Sequence, residues 1–202
     1  MLKAAVDFAP AYELLMSLEL YCGGQKIADL GGDWSAQVRS GLTPDLIARL
    51  DGLKEAEELS LLGLLVWQCP DRATVGSFIA WLAARSPGEL YERLAPYVPD
   101  AMSAVLRNLG GVRDEWVGLL SDWDAQYFRT VSPSLLTALE AECGARQAQV
   151  SAADPAGFVE ATTGGLQVEP LPGLALVLLV PQHHYRPSNY YQRLGAVLMI
   201  YY

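Results

Sequence analysis

Apolar side chains recur every three or four residues through most of this chain, the spacing that places them on one face of a helix. One stripe contains Leu14, Leu18 and Tyr21, and another contains Trp116, Trp123 and Tyr127. Proline follows an oxygen-bearing side chain at four points, which is typical of a capped helix start. These starts are Thr43-Pro44, Ser86-Pro87, Ser132-Pro133 and Asp154-Pro155. The pattern predicts a helical body over about residues 11–163.

The two ends of the chain follow a different pattern. Residues 2–8 alternate apolar with polar side chains, which indicates a strand with one solvated face. Continuous apolar runs near the C-terminus indicate buried strands at about 174–181 and 196–202, and a shorter one is expected at 166–169. We therefore expect an α+β fold: a single domain over 1–202, mainly a helical bundle, with a small, mainly antiparallel sheet of the N-terminal and C-terminal strands.

The sequence stops within its last apolar run, Ala-Val-Leu-Met-Ile-Tyr-Tyr. A strand of this composition needs to be buried against another element, because an exposed apolar strand edge promotes aggregation. We therefore expect the chain to be the leading domain of a longer protein that continues beyond Tyr202.

Charge and composition narrow the classes of function. The chain has 14 basic and 23 acidic side chains and a net charge of −9, so electrostatic repulsion from phosphates makes it a poor nucleic-acid binder by itself. Residues 171–202 carry Arg186 and Arg193 but no acidic side chain, as expected of a largely buried sheet. The three cysteines are not spaced like those of a disulfide framework or of a Cys-x-x-Cys metal site, which favours a reduced, cytoplasmic protein. The longest apolar helical stretch is too short for a bilayer, which predicts no membrane association.

Motifs of catalysis and metal binding are not evident in the sequence. His183 and His184 are the two histidines, and adjacent residues of a strand point to opposite faces, so both cannot easily bind one metal ion. The chain has no nucleophile elbow and no phosphate-binding glycine loop. We therefore predict a protein that is not an enzyme and that needs neither a metal nor a cofactor.

Aromatic side chains provide the candidate ligand-binding residues. Trp116, Trp123 and Tyr127 share one helix stripe, for which core packing is the favoured explanation, although they could also line an apolar cavity between helices. His184, Arg186 and Tyr190 lie in a polar and aromatic segment between two apolar strands. This segment could be a plain loop, or it could bind a ligand with Arg186 as an anion anchor.

Both ends of the chain resemble a known bacterial domain. The apolar run 174–180, the segment Tyr185-Arg186-Pro187 and the apolar run 194–202 are similar to the end of an uncharacterised N-terminal domain of ArsR-type winged helix-turn-helix regulators. The opening Val6-Asp7-Phe8-Ala9-Pro10, which leads into an amphipathic helix, is similar to the start of that domain. The resemblance covers the middle only as a loose helical pattern.

This resemblance implies a regulatory domain that senses a small-molecule effector or arranges a homodimer. The winged helix that contacts DNA would follow Tyr202 and is absent from this chain. A purely structural dimerisation module is the alternative interpretation, and a small enzyme of unknown reaction is a less favoured one.

Overall fold

The computed structural model describes residues 2–23, 30–31, 33–53, 59–98, 104–131, 133–150, 154–169 and 171–202. Within these ranges it contains nine α-helices and one four-stranded sheet built from N-terminal and C-terminal strands, which confirms the α+β class. The chain forms two compact units. One comprises Ala9–Ser132, and the other combines Met1–Phe8 with Pro133–Tyr202. None of the described helices is long and apolar enough to cross a membrane.

The unit Ala9–Ser132 is helical. Its helices are α1 (Pro10–Gly23), α2 (Trp34–Gly41), α3 (Pro44–Gly52), α4 (Ser60–Gln68), α5 (Val75–Ala83), α6 (Pro87–Leu94) and α7 (Leu109–Gln126). Short 3₁₀ helices at Val105–Asn108 and Phe128–Thr130 flank α7. Helix α7 packs against α1, α3, α5 and α6, while α1 also contacts α4. Helices α1 and α4 are apolar around most of their circumference, which is typical of helices buried on all sides.

Local capping chemistry explains where several helices begin. Thr43, Ser86 and Asp154 each accept a hydrogen bond from the backbone N–H three residues later, as the sequence predicts. Ser86 and Glu89 form a reciprocal capping box. Ser132 lies outside the described residues, although the helix that follows it does begin at Pro133. A further capping box, at Thr74, carries no proline signal in the sequence.

The second unit is a sheet covered by two helices, α8 (Pro133–Gln147) and α9 (Pro155–Thr163). The strands are β1 (Lys3–Val6), β2 (Leu176–Val180), β3 (Tyr190–Leu194) and β4 (Val197–Tyr201), in the spatial order β1-β2-β4-β3. The core of this unit joins side chains of the strands with Cys143 of α8 and Val159 of α9. The strand residues in that core are Val6, Val177, Leu179 and Ile200.

The sheet is mixed rather than mainly antiparallel. β1 is parallel to β2 and β2 is parallel to β4, so only β3 and β4 form an antiparallel pair. The sequence indicates two apolar strands joined by one loop, whereas a third strand, β3, lies between them in the chain. Because β3 turns back into β4 through a two-residue turn, β4 enters the sheet beside β2 in the same direction.

The predicted strand at 166–169 is absent. Its residues alternate between partly buried and exposed, and Leu166 and Val168 pack on the core of the sheet unit. The backbone N–H of Leu166 donates to Oγ1 of Thr163 at 3.1 Å rather than to a neighbouring strand. The alternating pattern of this segment therefore reflects its burial on one side. Such burial needs an extended backbone but no hydrogen bonds to a neighbouring strand.

Candidate functional site

Four aromatic rings form a cluster in the helical unit. Tyr21 of α1 meets Trp123 of α7 with ring centroids 5.2 Å apart, and Trp123 meets Tyr127 at 4.8 Å. Trp34 of α2 closes the cluster, edge-on to Tyr127 at 5.8 Å and to Tyr21 at 6.4 Å. These separations are those of attractive aromatic pairs. The rings therefore connect α1, α2 and α7, and we call this group the aromatic cluster.

Polar atoms of the aromatic cluster have specific partners. The indole N–H of Trp34 donates to the hydroxyl of Tyr127 at 3.1 Å, and that of Trp123 donates to Oγ of Ser17 at 2.9 Å. Burial raises the pKa of Tyr127 to about 12, an effect opposed by the hydrogen bond from Trp34 and reinforced by the carboxylate of Glu13. Tyr127 is therefore a neutral phenol at physiological pH.

A surface cleft of about 470 Å³ opens beside the aromatic cluster. It lies among the C-terminal ends of α1 and α3 and one side of α2. Its lining residues are Tyr21, Cys22, Ser35, Ala36, Arg39, Leu50, Asp51 and Leu53. Tyr21 belongs both to this cleft and to the aromatic cluster, so the two features share one ring. A volume of this size suits a small organic ligand.

The polar side of the cleft is an ion pair. Arg39 of α2 donates to both carboxylate oxygens of Asp51 on α3, at 3.0 and 2.9 Å, and to the hydroxyl of Tyr21 at 3.3 Å. The hydrogen bonds to Asp51 and then to Tyr21 raise the pKa of Arg39, so its charge is permanent. Both partners are about half exposed, at 47% and 55% of their side-chain surface. The pair is thus accessible to a dissolved ligand.

Cys22 adds a thiol to the cleft without a reactive character. Burial, followed by the carboxylates of Glu19 and Asp51, raises its pKa to about 12. A thiol is nucleophilic only as the thiolate, which is scarce at neutral pH for such a group. The cleft therefore offers an aromatic wall, a guanidinium–carboxylate pair and a neutral thiol, a combination suited to binding.

The sequence-predicted site residues are distributed over both units. Trp123 and Tyr127 belong to the aromatic cluster, and Trp116 lies two turns earlier on α7, where it is buried. His184, Arg186 and Tyr190 belong to the sheet unit instead, in the connection between β2 and β3 or at the start of β3. Within the helical unit, the structure brings the rings of Trp123 and Tyr127 into contact.

The connection between β2 and β3 is held by its own contacts. Arg186 forms an ion pair of 2.7 Å with Glu142 of α8, so its charge is already matched. Tyr190 stacks on Tyr185 at 5.1 Å, and His184 is buried with its ring 5.7 Å from that of His183. These contacts are those of an ordered structural segment.

Tyr21, Trp34, Arg39 and Asp51 are site residues that the sequence did not single out. Tyr21 has the spacing of a core residue, and Arg39 and Asp51 look like ordinary charged side chains of solvated helices. Their pairing depends on how α2 and α3 pack, so no local signal could have identified it.

Across the part of the chain that the structure describes, no three His, Cys, Asp or Glu side chains converge in a way that could hold a metal ion. A scan against protein-family models and searches of curated proteins and of solved structures found no match to this chain.

Proposed function

We propose that this chain is the N-terminal, effector-sensing regulatory domain of an ArsR-like bacterial transcriptional regulator. In this proposal the full-length protein is a cytoplasmic homodimer, and it contacts DNA through a winged helix outside this chain. The cleft beside the aromatic cluster is the observation that carries the sensing role, and the resemblance of both chain ends to that regulator domain supports the class.

The ion pair at the cleft suggests how a ligand could change the helical unit. Arg39 ties α2 to α3 through Asp51 and to α1 through Tyr21. Both side chains of this pair are about half exposed, so solvent screening weakens it, and a ligand that supplies its own charged group can replace one partner at little cost. A ligand with an apolar body would also cover the ring of Tyr21. Binding would then favour one arrangement of α1, α2 and α3 over another, which is the thermodynamic basis of effector control.

Ligand screening by thermal shift and tryptophan fluorescence tests this proposal. Small charged metabolites with an apolar or aromatic body are the first compounds to screen, because Trp34 and Trp123 both contact Tyr21 at the cleft. We expect a binding compound to change the fluorescence and to raise Tm. Arg39→Met and Asp51→Asn should weaken that response at least tenfold.

Arg129→Met is the matched control, because the exposed side chain of Arg129 is paired with a carboxylate, that of Asp124, and does not line the cleft. It should leave the response unchanged. If the full-length protein binds its operator with the same affinity in the presence of every compound, sensing is wrong. A module that only arranges a dimer would remain as the alternative.

A further inference from the structure

β3 has one edge that no other described strand covers. It is the last strand in the order β1-β2-β4-β3. The pair Leu194 and Val197 closes the two-residue turn Gly195-Ala196 and is therefore a hydrogen-bonded pair. Because bonded and non-bonded pairs alternate in an antiparallel ladder, Gln192 and Tyr190 also direct their backbone groups towards β4. The N–H and C=O groups of Tyr191 and Arg193 consequently point to the open edge.

The side chains near this edge leave it accessible. The guanidinium of Arg193 is folded back on its own chain, where it donates to the carbonyls of Pro172 at 2.8 Å and Gly195 at 3.2 Å. Tyr191 is 63% exposed, and Leu171, 44% exposed, lies with it along a groove of about 380 Å³. A strand edge of this kind is a template for another strand.

The sequence of the edge is complementary to itself. If two antiparallel copies of β3 are related by a two-fold axis at Gln192, Tyr191 of each copy lies opposite Arg193 of the other. Both residues direct their backbone groups outward, so the two pairs exchange four hydrogen bonds. Each pair also sets a tyrosine side chain opposite an arginine side chain of the other copy, so neither pair places like charges together.

Other registers are worse. A shift of the axis by half a residue spacing sets outward-facing groups against inward-facing ones and forms no ladder. A shift to Arg193 places two like charges opposite each other, and a shift to Tyr191 leaves Arg193 opposite Asn189, outside the strand.

We propose that β3 is a pairing edge through which two copies of this chain join into one continuous eight-stranded sheet. The partner is thus a second copy, recognised by backbone hydrogen bonds in the register set by Tyr191, Gln192 and Arg193. The short edge makes this a small interface, and small interfaces are typical of transient association. The pairing needs neither an effector nor DNA, so it stands or falls separately from the proposed sensing role.

Proline at position 191 provides the first test. Tyr191→Pro removes an outward N–H, and edge strands tolerate proline there because the ladder to β4 keeps its bonds. Tyr191→Ala is the matched control, since it removes the same ring but keeps the N–H. We expect the wild type to dimerise reversibly in sedimentation equilibrium at up to about 1 mM subunits, a range that covers millimolar affinities. Tyr191→Pro should raise the dissociation constant at least tenfold, and clearly more than Tyr191→Ala.

A cysteine cross-link tests the register independently of proline. Gln192 of the two copies would form a non-hydrogen-bonded pair with Cα atoms about 4.5 Å apart, within reach of a disulfide. Gln192→Cys should therefore give a 192–192 cross-link identified by mass spectrometry, whereas Arg193→Cys should not give a 193–193 cross-link. A wild type that stays monomeric throughout the concentration range overturns the proposal. A dimer that survives Tyr191→Pro or lacks the 192–192 cross-link also overturns it, because that dimer uses another face.

Discussion

The hydrogen bond between Trp123 and Ser17 offers a quantitative test of the helical core. Both side chains are fully buried, at 0% exposure. The indole N–H of Trp123 donates to Oγ of Ser17 at 2.9 Å, and the Ser17 hydroxyl donates to the carbonyl of Leu14 at 2.8 Å. Ser17→Ala would leave the indole N–H without an acceptor in a site that water does not reach. The substitution therefore isolates the cost of one orphaned buried donor.

The expected cost follows from the desolvation of that donor. Leaving a buried N–H unsatisfied costs about 1–3 kcal/mol, whereas replacing both partners of a bond with apolar groups is nearly neutral. Ser17→Ala should thus lower the free energy of unfolding by about 2 kcal/mol in the wild-type background. In a Trp123→Phe background no indole N–H remains, and the same substitution should cost less than about 1 kcal/mol. The coupling energy of this double-mutant cycle is then about 1–2 kcal/mol.

Urea unfolding followed by far-UV circular dichroism measures these differences without relying on tryptophan emission. In thermal scans, Ser17→Ala should lower Tm by about 4–8 °C for a chain of this length. Ser40→Ala is the matched control, because the hydroxyl of Ser40 makes the same local bond, to the carbonyl of Gln37 at 2.7 Å, on an exposed helix face. It should change stability by less than about 0.5 kcal/mol. Equal costs of Ser17→Ala in the two backgrounds would refute the role assigned to the Trp123 bond.

Three further predictions concern a helix cap, a titration and a turn. Ser86→Ala should lower the free energy of unfolding by about 1 kcal/mol, because the backbone N–H of Glu89 loses its acceptor, Oγ of Ser86. The backbone N–H of Ser86 and then its hydroxyl lower the pKa of Glu89, so this substitution, which keeps the backbone N–H, should raise that pKa only in part, as NMR titration can check. Burial raises the pKa of Tyr127 to about 12 from an ordinary value of 10.0, so its contribution to stability is full below pH 10 and is lost as the pH rises towards 12. The urea midpoint should therefore fall more steeply over that range in the wild type than in Tyr127→Phe. Gly195, with φ of 56° in the turn between β3 and β4, should tolerate Asn better than Ala in urea unfolding, and Gly195→Ala should cost about 1–2 kcal/mol.

Several elements of this fold are encoded in short stretches of sequence. The segment Ser86-Pro87-Gly88-Glu89 contains the whole capping box that starts α6, because its donors and acceptors are at most three residues apart. The apolar runs at 174–181 and 196–202 predict β2 and β4 closely, since a strand buried on both faces needs continuous apolar side chains. The alternation at 2–8 likewise predicts β1.

The local sequence of β3, by contrast, does not predict a strand. Its Gln192 and Arg193 give it the appearance of a loop, and it is a strand because β4 provides a hydrogen-bonding partner. The direction of each strand is equally invisible in an apolar run, so the parallel pairing of β2 with β4 could not be predicted. The strand predicted at 166–169 is wrong for a related reason. Its alternating pattern reflects burial on one side, and none of the described strands pairs with it.

The candidate site divides in the same way. The helix stripe that contains Trp123 and Tyr127 identifies two of its rings, because their spacing alone sets them on one face of α7. Contacts between elements, by contrast, depend on tertiary packing alone. They include the ion pairs Arg39–Asp51 and Arg186–Glu142 and the hydrogen bond from Trp123 to Ser17, which is 106 residues away in the chain. Sequence by itself determines contacts within a turn or a strand, where covalent geometry fixes the distances. Contacts between elements depend on the tertiary packing of the whole unit. That packing must bury the apolar surface and satisfy the hydrogen-bonding groups at the same time.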